Sequence, residues 1–579
     1  MKKLLVYLKA YTKETILAPL FKMLEASFEL IVPLVVASLI DKGIATSDTS
    51  YIIRMSLVLV LLAAVGFCTS ITAQYFAAKA SAGFAKDVRH ALFNNIQSLS
   101  YSQIDELGTS TMITRMTSDM NQVQQGVNLT LRLLLRSPFI VLGAMIMAFT
   151  IDVKEAMIFA VTIPLLSIVV FGIMLWSIPK YKLVQEKLDK VLNLTRENLD
   201  GARVIRAFGS EEKEKEVFFA QNEELTKLQK HVGSVTALMN PLTFAILNLA
   251  ICYLIYTGAL TVQAGILTQG SVVALYNYMS QILVELVKLA NLIINITRAV
   301  ACGNRIQALM DIKPVMENGQ ESFDTVVKED DFIVFDHVSM RYPGDAEDSL
   351  SDVNLHIKKG QSIGIIGGTG SGKSTLVNLI PRFFDLSDGN IYINGKNVKG
   401  YDLEELRNHI GIVPQKAVLF KGTIRDNLKW GNNEATDEDI YAALEIAQAK
   451  DVVLGKDGKL DHMISQGGKN LSGGQRQRLT IARALVRKPW ILILDDSASA
   501  LDYVTDYNLR TAIKNMKDAP TTFIVSQRTA SIKNCDQVVV LDDGKVVGVG
   551  THDSLLDNCD IYREIYDSQF KTTKEATNE

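Results

Sequence analysis

A glycine-rich segment in the second half of the chain has the residue types and spacing needed to bind phosphate groups. It reads SIGIIGGTGSGKSTLVNLI over residues 362–380 and fits the strand, loop and helix of a phosphate-binding loop. Glycines let backbone N–H groups close on phosphate oxygens, Lys373 can reach the outer phosphates, and Ser374 can bind Mg²⁺. The candidate binding residues of this loop are Gly367, Gly368, Thr369, Gly370, Ser371, Gly372, Lys373, Ser374 and Thr375.

Two adjacent carboxylates follow a second apolar run, ILILDDSASALD, at residues 491–502. The run predicts a buried strand, and Asp495 at its end is the candidate second ligand on the Mg²⁺ side. Together with the glycine-rich loop, this strand predicts a nucleoside triphosphatase. The second acid, Asp496, is short for a residue that activates a water molecule.

The elements that must position these groups begin with six apolar segments in the first half of the chain. Segments of about twenty apolar residues predict membrane helices. The six segments are residues 15–40, 55–78, 137–149, 156–176, 241–260 and 271–301. The first and last carry charges and could instead be amphipathic surface helices. We interpret them as membrane helices because charged residues can face a polar interior.

Polar helical segments connect these spans and predict stalks. Residues 86–126 lack proline, and arms of about 20 residues would reach roughly 30 Å beyond the membrane. The N-terminal residues MKKLLVYLKAY lack a signal-peptide core and predict a helix in the membrane interface with a cytoplasmic start.

The sequence therefore predicts a membrane α-helical domain with six transmembrane helices, followed by an α/β P-loop nucleotide-binding domain. The boundaries are 1–312 for the membrane domain, 313–328 for a linker, 329–570 for the nucleotide-binding domain and 571–579 for a disordered tail. The second half alternates short Val/Ile strands with polar helices and has no further long apolar run.

The net charge and the cysteine spacing give no support for a nucleic-acid-binding protein or for a protein held together by disulfides or zinc. The net charge of −3 gives no reason to expect a nucleic-acid partner. The 5 cysteines show neither CxxC nor Cys/His ligand spacing, so no disulfide framework or zinc site is indicated.

The segment LSGGQRQRLTIARAL at 471–485 resembles the signature of ABC transporters. Other matches to this family follow its order along the chain. Tyr342 resembles the aromatic residue that stacks on adenine, Gln415 lies at the Q-loop, and Ser499 to Asp502 resembles the D-loop. Residues 382–398 and 406–428, and 197–218 in the membrane half, are similar to the exporter branch. The resemblance adds Ser472, Gly473, Gly474, Gln475, Tyr342 and Asp502 to the nucleotide-binding candidates, and Gln415 to the Mg²⁺ ligands.

The resemblance implies a half-transporter that works as a dimer with ATP and Mg²⁺. Each ATP would lie between the phosphate loop of one chain and the signature of the other. Short helices at the stalk tips, expected near 118–124 and 208–216, would pass closure of the nucleotide domains to the membrane half.

This chain departs from the family pattern at two catalytic positions. The family usually has Glu at the Asp496 position and His at the Gln527 position. Aspartate is one methylene shorter, and glutamine cannot carry charge or shuttle a proton near neutral pH. Both changes predict a site that binds ATP and hydrolyses it weakly. Because the signature is intact, we expect a heterodimer with a partner that has the Glu and the His, similar to asymmetric bacterial multidrug exporters.

The expected substrates are small amphipathic compounds exported across the plasma membrane of a bacterium, with the nucleotide-binding domain in the cytoplasm. Glu25, Glu29, Glu285 and Lys288 could line a polar cavity that attracts cationic amphiphiles, or could pair between helices. A lipid or peptide exporter, and an ATP-gated regulator without transport, would share these motifs.

Overall fold

The protein, in a computed structural model that describes residues 1–323 and 331–575, forms two compact units. For 571–575 only the backbone is described. The first unit combines Met1–Ser98 with Gly108–Lys313, and the second combines Leu99–Leu107 with the described residues from Pro314 onward. A short segment in the middle of the first half therefore clusters with the second half.

The first unit is helical. Its helices, with α3 of the second unit included in chain order, are α1 (Thr12–Ser38), α2 (Thr49–Ser98), α3 (Tyr101–Leu107), α4 (Thr109–Thr114), α5 (Met120–Leu133), α6 (Arg136–Ile151), α7 (Val153–Asp200), α8 (Ala202–Ala207), α9 (Glu211–Ala237), α10 (Met239–Gln263) and α11 (Gln269–Met310). A 3₁₀ segment, Leu4–Tyr11, precedes α1, and π-helical turns occupy Leu39–Ile44 and Arg115–Asp119.

Six continuous helical stretches among the described residues are long and apolar enough to cross a membrane, which confirms the six predicted spans. They are Leu4–Ile44, Thr49–Ser98, Thr109–Ile151, Val153–Asp200, Glu211–Gln263 and Gln269–Met310. No proline interrupts α2, whose length is 50 residues. At 1.5 Å per residue it extends about 75 Å, so it is long enough to cross a bilayer and continue well beyond it.

Small and aromatic side chains hold the first unit together where α1, α6 and α11 meet. Ala26, Ala144 and Tyr278 are fully buried in one apolar cluster. The Tyr278 hydroxyl donates to the carbonyl of Leu30 at 2.6 Å, so the one polar atom of this large side chain is satisfied.

The first stalk turns at α3, and the short helix predicted near 118–124 is wrong. Residues 118–124 lie inside the stretch Thr109–Ile151, where the π-helical turn Arg115–Asp119 continues directly into α5 without a reversal of the chain. The chain reverses instead around α3, which ends before Gly108 at φ 73°. Glycine adopts this left-handed backbone without steric cost, so it can end one helix and begin the next.

The second stalk also turns slightly earlier than predicted. The short helix is α8, at Ala202–Ala207, and Gly209 with φ 60° follows it. Most of the predicted segment 208–216 belongs to α9, which begins at Glu211.

The described residues of the second unit form three sheets. Its strands are β1 (Asp331–Met340), β2 (Leu350–Lys358), β3 (Ser362–Gly367), β4 (Asp388–Ile393), β5 (Lys396–Asn397), β6 (Ile410–Val413), β7 (Gly422–Thr423), β8 (Met463–Ile464), β9 (Ile491–Asp495), β10 (Thr521–Val525), β11 (Gln537–Asp542) and β12 (Lys545–Gly550). The orders are β12-β11-β3-β10-β9-β6, β2-β1-β4-β5 and β7-β8. In the first of these sheets all neighbours are parallel except β11 and β12.

Helices cover these sheets. They are α12 (Lys373–Leu379), α13 (Leu403–Asn408), α14 (Ile424–Lys429), α15 (Asp437–Ile446), α16 (Lys450–Leu454), α17 (Gly473–Val486), α18 (Tyr503–Lys514), α19 (Thr529–Ile532), α20 (His552–Asn558) and α21 (Asp560–Glu575), with 3₁₀ turns at Lys459–Asp461 and Gln466–Gly468. Every residue of β9 and β10 is buried, which explains their nearly continuous apolar sequences.

The described parts of the predicted linker and tail include hydrogen-bonded and helical residues. In the described part of 313–328, the Gly319 N–H donates to the Tyr401 carbonyl at 3.1 Å, and the Phe323 ring stacks on His409 at 4.3 Å. Residues 324–328 lie outside the described residues. In the tail predicted at 571–579, the backbone of α21 continues through Glu575, and 576–579 are not described.

Candidate functional site

The phosphate-binding loop connects β3 to α12, as its sequence predicts. Gly370 and Gly372 have φ 85° and 92°, in the left-handed region that favours glycine. A Cβ at Gly372 would also lie 2.7 Å from the Ser349 carbonyl oxygen, so no other residue fits this turn without a shift.

Lys373 begins α12 and lies against the loop. Its ammonium group donates to the Gly367 carbonyl at 3.0 Å and to the Ser371 hydroxyl at 3.4 Å. Burial lowers the pKa of Lys373, while Asp495 and Asp496 nearby oppose that effect. The cation is thus held next to the loop N–H groups, where phosphate oxygens would bind.

The carboxylate of Asp495 closes the other side of the site. It ends β9 and accepts a hydrogen bond from the Ser374 hydroxyl at 3.0 Å. Burial raises the pKa of Asp495, and the neighbouring charge of Asp496 raises it further. A partly desolvated carboxylate beside a like charge is stabilised by a cation.

Asp496 adopts an unusual backbone for a residue with a side chain. Its φ is 44°, and its N–H donates to the carbonyl of Val525 at 3.0 Å. The Gln415 amide donates to the Asp496 carboxylate at 3.3 Å. The Q-loop amide and the second acid are therefore in contact, although they lie 81 residues apart.

Parallel strand ends bring eight of the predicted residues into one pocket of about 220 Å³. Val525 at the end of β10 pairs with Asp495 on one side and Ile365 of β3 on the other. The lining residues are Thr369, Gly370, Lys373, Ser374, Gln415, Asp495, Asp496, Val525, Ser526 and Gln527. A pocket at the carboxyl ends of parallel strands is the expected place for a nucleotide in such a sheet.

Tyr342 lies beside this pocket and does not line it. Its hydroxyl is 3.1 Å from the Thr375 hydroxyl, and its ring meets the edge of Phe384 at 5.1 Å. Phe384 is a contact that sequence analysis missed, since nothing in a single sequence pairs two aromatic residues this far apart.

The signature segment does not line the pocket of its own chain among the described residues. Ser472 caps α17, accepting from the Gln475 N–H, and the Gln475 side chain accepts from the Ser472 N–H at 3.1 Å. This capping box fixes the first turn of α17 and the backbone of Gly473 and Gly474. Asp502 is likewise outside the pocket and caps α18 through the Thr505 N–H and hydroxyl.

The short helix α3 packs within the second unit through aromatic contacts. The Tyr101 ring lies 4.3 Å from that of Phe383, and the Arg407 guanidinium lies over Phe383 at 5.4 Å. Tyr101 is also 6.4 Å from Phe384, the ring that contacts Tyr342. These residues connect α3 to the side of the phosphate-binding loop.

A charge cluster around the buried Arg136 and Glu285 of the first unit contains two of the acids considered from sequence. The Arg136 guanidinium donates to Glu285 at 2.8 Å and to Glu29 at 2.6 Å, joining α6, α11 and α1. Ser137 and Lys288 also donate to Glu285, at 2.8 and 2.9 Å. Of the two alternatives considered from sequence, pairing between helices is therefore the one that the structure shows for Glu29 and Glu285. Arg136 was missed because it precedes the apolar run that begins at 137.

Glu25 belongs to a separate pair. Lys22 on the same helix donates to the Glu25 carboxylate and also to the Ser70 hydroxyl of α2, at 3.2 Å for the latter. Lys22 is 7% exposed, so this pair too is largely removed from solvent.

Two family models match the chain. The ABC transporter transmembrane region matches residues 15–286, and the ABC transporter model matches residues 350–499. The chain is 36% identical over 576 residues to the uncharacterized ABC transporter ATP-binding protein YfiB of Bacillus subtilis, covering 98% of this chain and 99% of that protein.

Other relatives include proteins whose names state a substrate. An ATP-dependent lipid A-core flippase of Desulfotalea psychrophila is 32% identical over 536 residues, covering 92% of this chain and 93% of the flippase. A solved bacterial Atm1-family ABC exporter with ATP bound is similar in fold, with a TM-score of 0.78 and 22% identity; the similarity covers 96% of this chain and 98% of that one.

Proposed function

This chain belongs to the ABC transporter family, as an ATP-hydrolysing exporter with a membrane domain and an ATP-binding domain, and from this premise we propose that it is the weakly hydrolysing half of a heterodimer. The observation that carries the proposal is that Asp496 and Gln527 line the same pocket as Lys373 and Ser374. Two departures from the catalytic pattern therefore act on one ATP molecule.

The chain's own residues would bind ATP through distinct groups. The loop N–H groups and Lys373 hold the outer phosphates, and Tyr342 stacks on adenine. Ser374, Gln415 and Asp495 fit Mg²⁺, because a hydroxyl, an amide and a carboxylate supply the oxygen ligands that this ion prefers. Bound Mg²⁺ would neutralise charge that develops on the transferred phosphate.

Hydrolysis at this site is weak because the residues that act on water are short or uncharged. An aspartate carboxylate lies roughly 1.5 Å closer to the backbone than that of glutamate. A misplacement of about 1 Å can lower a rate on the order of a hundredfold. Gln527 donates a hydrogen bond to the γ-phosphate without carrying charge or shuttling a proton.

The intact signature serves the other site. Ser472 to Gln475 are preorganised by their capping box and do not line this chain's own pocket. We assign them to the ATP held by a partner that has the Glu and the His. ATP binding closes the two domains and turns the cavity outward, and hydrolysis at the partner-based site resets the transporter.

We place the chain in the plasma membrane with its N-terminus and nucleotide-binding domain in the cytoplasm. Lys2 and Lys3 precede the first span, and basic residues favour the cytoplasmic side. Lys3 contacts Asp311 at the end of α11, which leads toward the ATP-binding domain. We therefore assign the N-terminus and the end of α11 to the same side of the membrane.

The proposed substrates are drugs or other amphipathic compounds. Glu29, Glu285, Arg136 and Lys288 together carry no net charge when ionised, so the cluster does not by itself favour cations. A lipid is the alternative substrate, and the 32% identity to a lipid A-core flippase supports considering it.

The first test is to tag this chain in its native membrane, purify it in mild detergent and identify associated chains by mass. The proposal predicts a stoichiometric second ABC chain with Glu and His at the two matching positions. A chain that purifies alone and hydrolyses ATP at exporter rates unaffected by Asp496→Ala would contradict it.

A further inference from the structure

The last described helix holds the backbone on both sides of Arg528, the residue that follows Gln527. We infer that Gln569 of α21 is the positioning residue for Gln527 and thereby sets how tightly this site holds the γ-phosphate. The inference rests on the proposed function, because it takes Gln527 to be the residue that contacts that phosphate.

Both ends of the Gln569 amide are used in these contacts. Its oxygen accepts from the Thr529 N–H at 3.0 Å and from the Thr529 hydroxyl at 2.9 Å. Its nitrogen donates to the Gln527 carbonyl at 2.8 Å. One side chain, 42 residues away in sequence, thus fixes the carbonyl of Gln527 and the first turn of α19.

The helix that carries Gln569 is itself fixed to the domain. Tyr562 of α21 is fully buried, and its hydroxyl lies 2.7 Å from the His552 ring nitrogen. The Tyr566 ring packs 5.4 Å from the same histidine. These contacts lie within two turns of Gln569, so the amide is presented from a rigid support.

Gln527 itself is exposed, and Gln569 contacts it through its backbone carbonyl. Its side chain lines the pocket next to Lys373 and Asp496. A carbonyl held at 2.8 Å limits rotation of the peptide group, and with it the direction of the side chain. Without Gln569, the side chain of Gln527 would sample more directions and contact the γ-phosphate less often. ADP lacks that phosphate and would be insensitive to the change.

The experiment measures equilibrium binding of Mg·ATP and of Mg·ADP to the full chain in detergent, by competition with a fluorescent ATP analogue. Gln569→Ala is expected to weaken ATP binding about threefold to tenfold, the range for one lost hydrogen bond, and to change ADP binding less than about twofold. Gln569→Glu keeps an acceptor for Thr529 but loses the donor, so it should show the same selective loss.

Two comparisons separate positioning from folding. Glu564→Ala, at an exposed position of the same helix, should leave both affinities unchanged. In a Gln527→Ala background, Gln569→Ala should have no further effect on the ATP-to-ADP ratio. Equal weakening of ATP and ADP by both Gln569 variants would overturn the inference, since it would indicate general damage.

The remaining outcomes distinguish this inference from the proposed function. If Gln527→Ala lowers ATP affinity selectively and neither Gln569 variant does, positioning by Gln569 is wrong and the role of Gln527 stands. If Gln527→Ala leaves the ATP-to-ADP ratio unchanged, Gln527 does not contact the γ-phosphate, and the inference falls together with that part of the proposed function.

Discussion

The side-chain amide of Gln415 donates to the carboxylate of Asp496 at 3.3 Å. Gln415 follows β6 and Asp496 follows β9, two neighbouring parallel strands, so the contact joins residues that the sheet delivers to one edge. The proposed metal ligand and the second acid are therefore in direct contact.

Restoring the longer acid and the imidazole should raise hydrolysis at this chain's own site. With Asp496→Glu and Gln527→His together, we expect an increase on the order of a hundredfold, the scale of a 1 Å misplacement. Phosphate release is measured in the heterodimer whose partner carries Glu→Gln at its own catalytic position. The matched control is Asp496→Asn with Gln527→His, which lacks the negative charge. A restored variant no faster than this control would contradict the explanation.

Ser472→Ala should impair the partner-based site and leave ATP binding by this chain unchanged. The substitution removes a capping box, at a cost of about 1 kcal/mol to stability, and disturbs the signature. Thr436→Ala removes a similar capping box on α15 and serves as the control. We expect comparable losses of thermal stability from both variants, and a large loss of heterodimer ATPase activity from Ser472→Ala alone. Equal losses of ATPase activity in the two variants would contradict a specific role of the signature at the partner-based site.

The pH dependence of stability should reveal the buried charge of Asp495. Its pKa is raised from the ordinary 3.8 by burial and by Asp496, so its stabilising contribution is present below 3.8 and is lost as the pH rises through the raised pKa. Asp495→Asn should remove this loss in thermal unfolding of the nucleotide-free chain with EDTA. With ATP present, adding Mg²⁺ should stabilise the wild-type chain but not the variant.

The pKa of Asp502 is shifted in the opposite direction to that of Asp495, so Asp502 is a control for the preceding prediction. Hydrogen bonds from the Thr505 N–H and hydroxyl lower the pKa of Asp502, so its contribution is present above 3.8 and is lost as the pH falls through the lowered pKa. Asp502→Asn should therefore destabilise the chain at neutral pH. The same trend for both variants would contradict the environments described for the two carboxylates.

Arg136→Ala should strongly destabilise the membrane unit. It leaves the carboxylates of Glu285 and Glu29 without their shared cation, and breaking a buried pair typically costs about 3–5 kcal/mol. Thermal unfolding in detergent is the measurement, and Glu285→Gln added to Arg136→Ala should recover part of the loss. Lys288→Ala is the control, because this half-exposed partner of Glu285 should contribute about 0–1 kcal/mol. Equal losses of thermal stability in Arg136→Ala and Lys288→Ala would contradict the conclusion that Arg136 is the main cation paired with Glu285.

Tyr101→Ala should reduce transport per ATP hydrolysed. The substitution removes the ring that packs on Phe383, a contact of about 0.5–1.5 kcal/mol, from the one membrane-half segment that clusters with the second unit. Dye efflux and phosphate release are measured together in vesicles containing the heterodimer. Tyr101→Phe keeps the ring and should behave as wild type. An unchanged efflux-to-hydrolysis ratio in Tyr101→Ala would show that α3 does not couple the two.

The residues that line the candidate site can be predicted from sequence because their motifs are local. The phosphate loop, the buried ILILD strand and the residues after them are short segments, and parallel pairing of β3, β10 and β9 brings their ends together. Length and composition alone also predicted the six spans.

The missed features depend on distant contacts or single backbone angles. Arg136 meets Glu285 across 149 residues, and Gln569 meets Thr529 across 40, separations that no local pattern reveals. The stalk turn at α3 lies in a polar stretch with uniform helical character, and the left-handed Gly108 ends it. Helical periodicity predicts the stalk there but not where it reverses.

The left-handed backbone of Asp496 bears on how such a site could persist through evolution. At φ 44°, bulky side chains are strained, whereas aspartate is among the few non-glycine residues enriched in this region. The shorter acid thus relieves the turn at the same position where it withdraws the carboxylate from water. A mutation to glutamate would meet a small conformational penalty, and under the proposed heterodimer it would bring no advantage, because the partner would perform the hydrolysis. Selection for an unstrained backbone and selection for the proposed asymmetry between subunits would then favour the same residue.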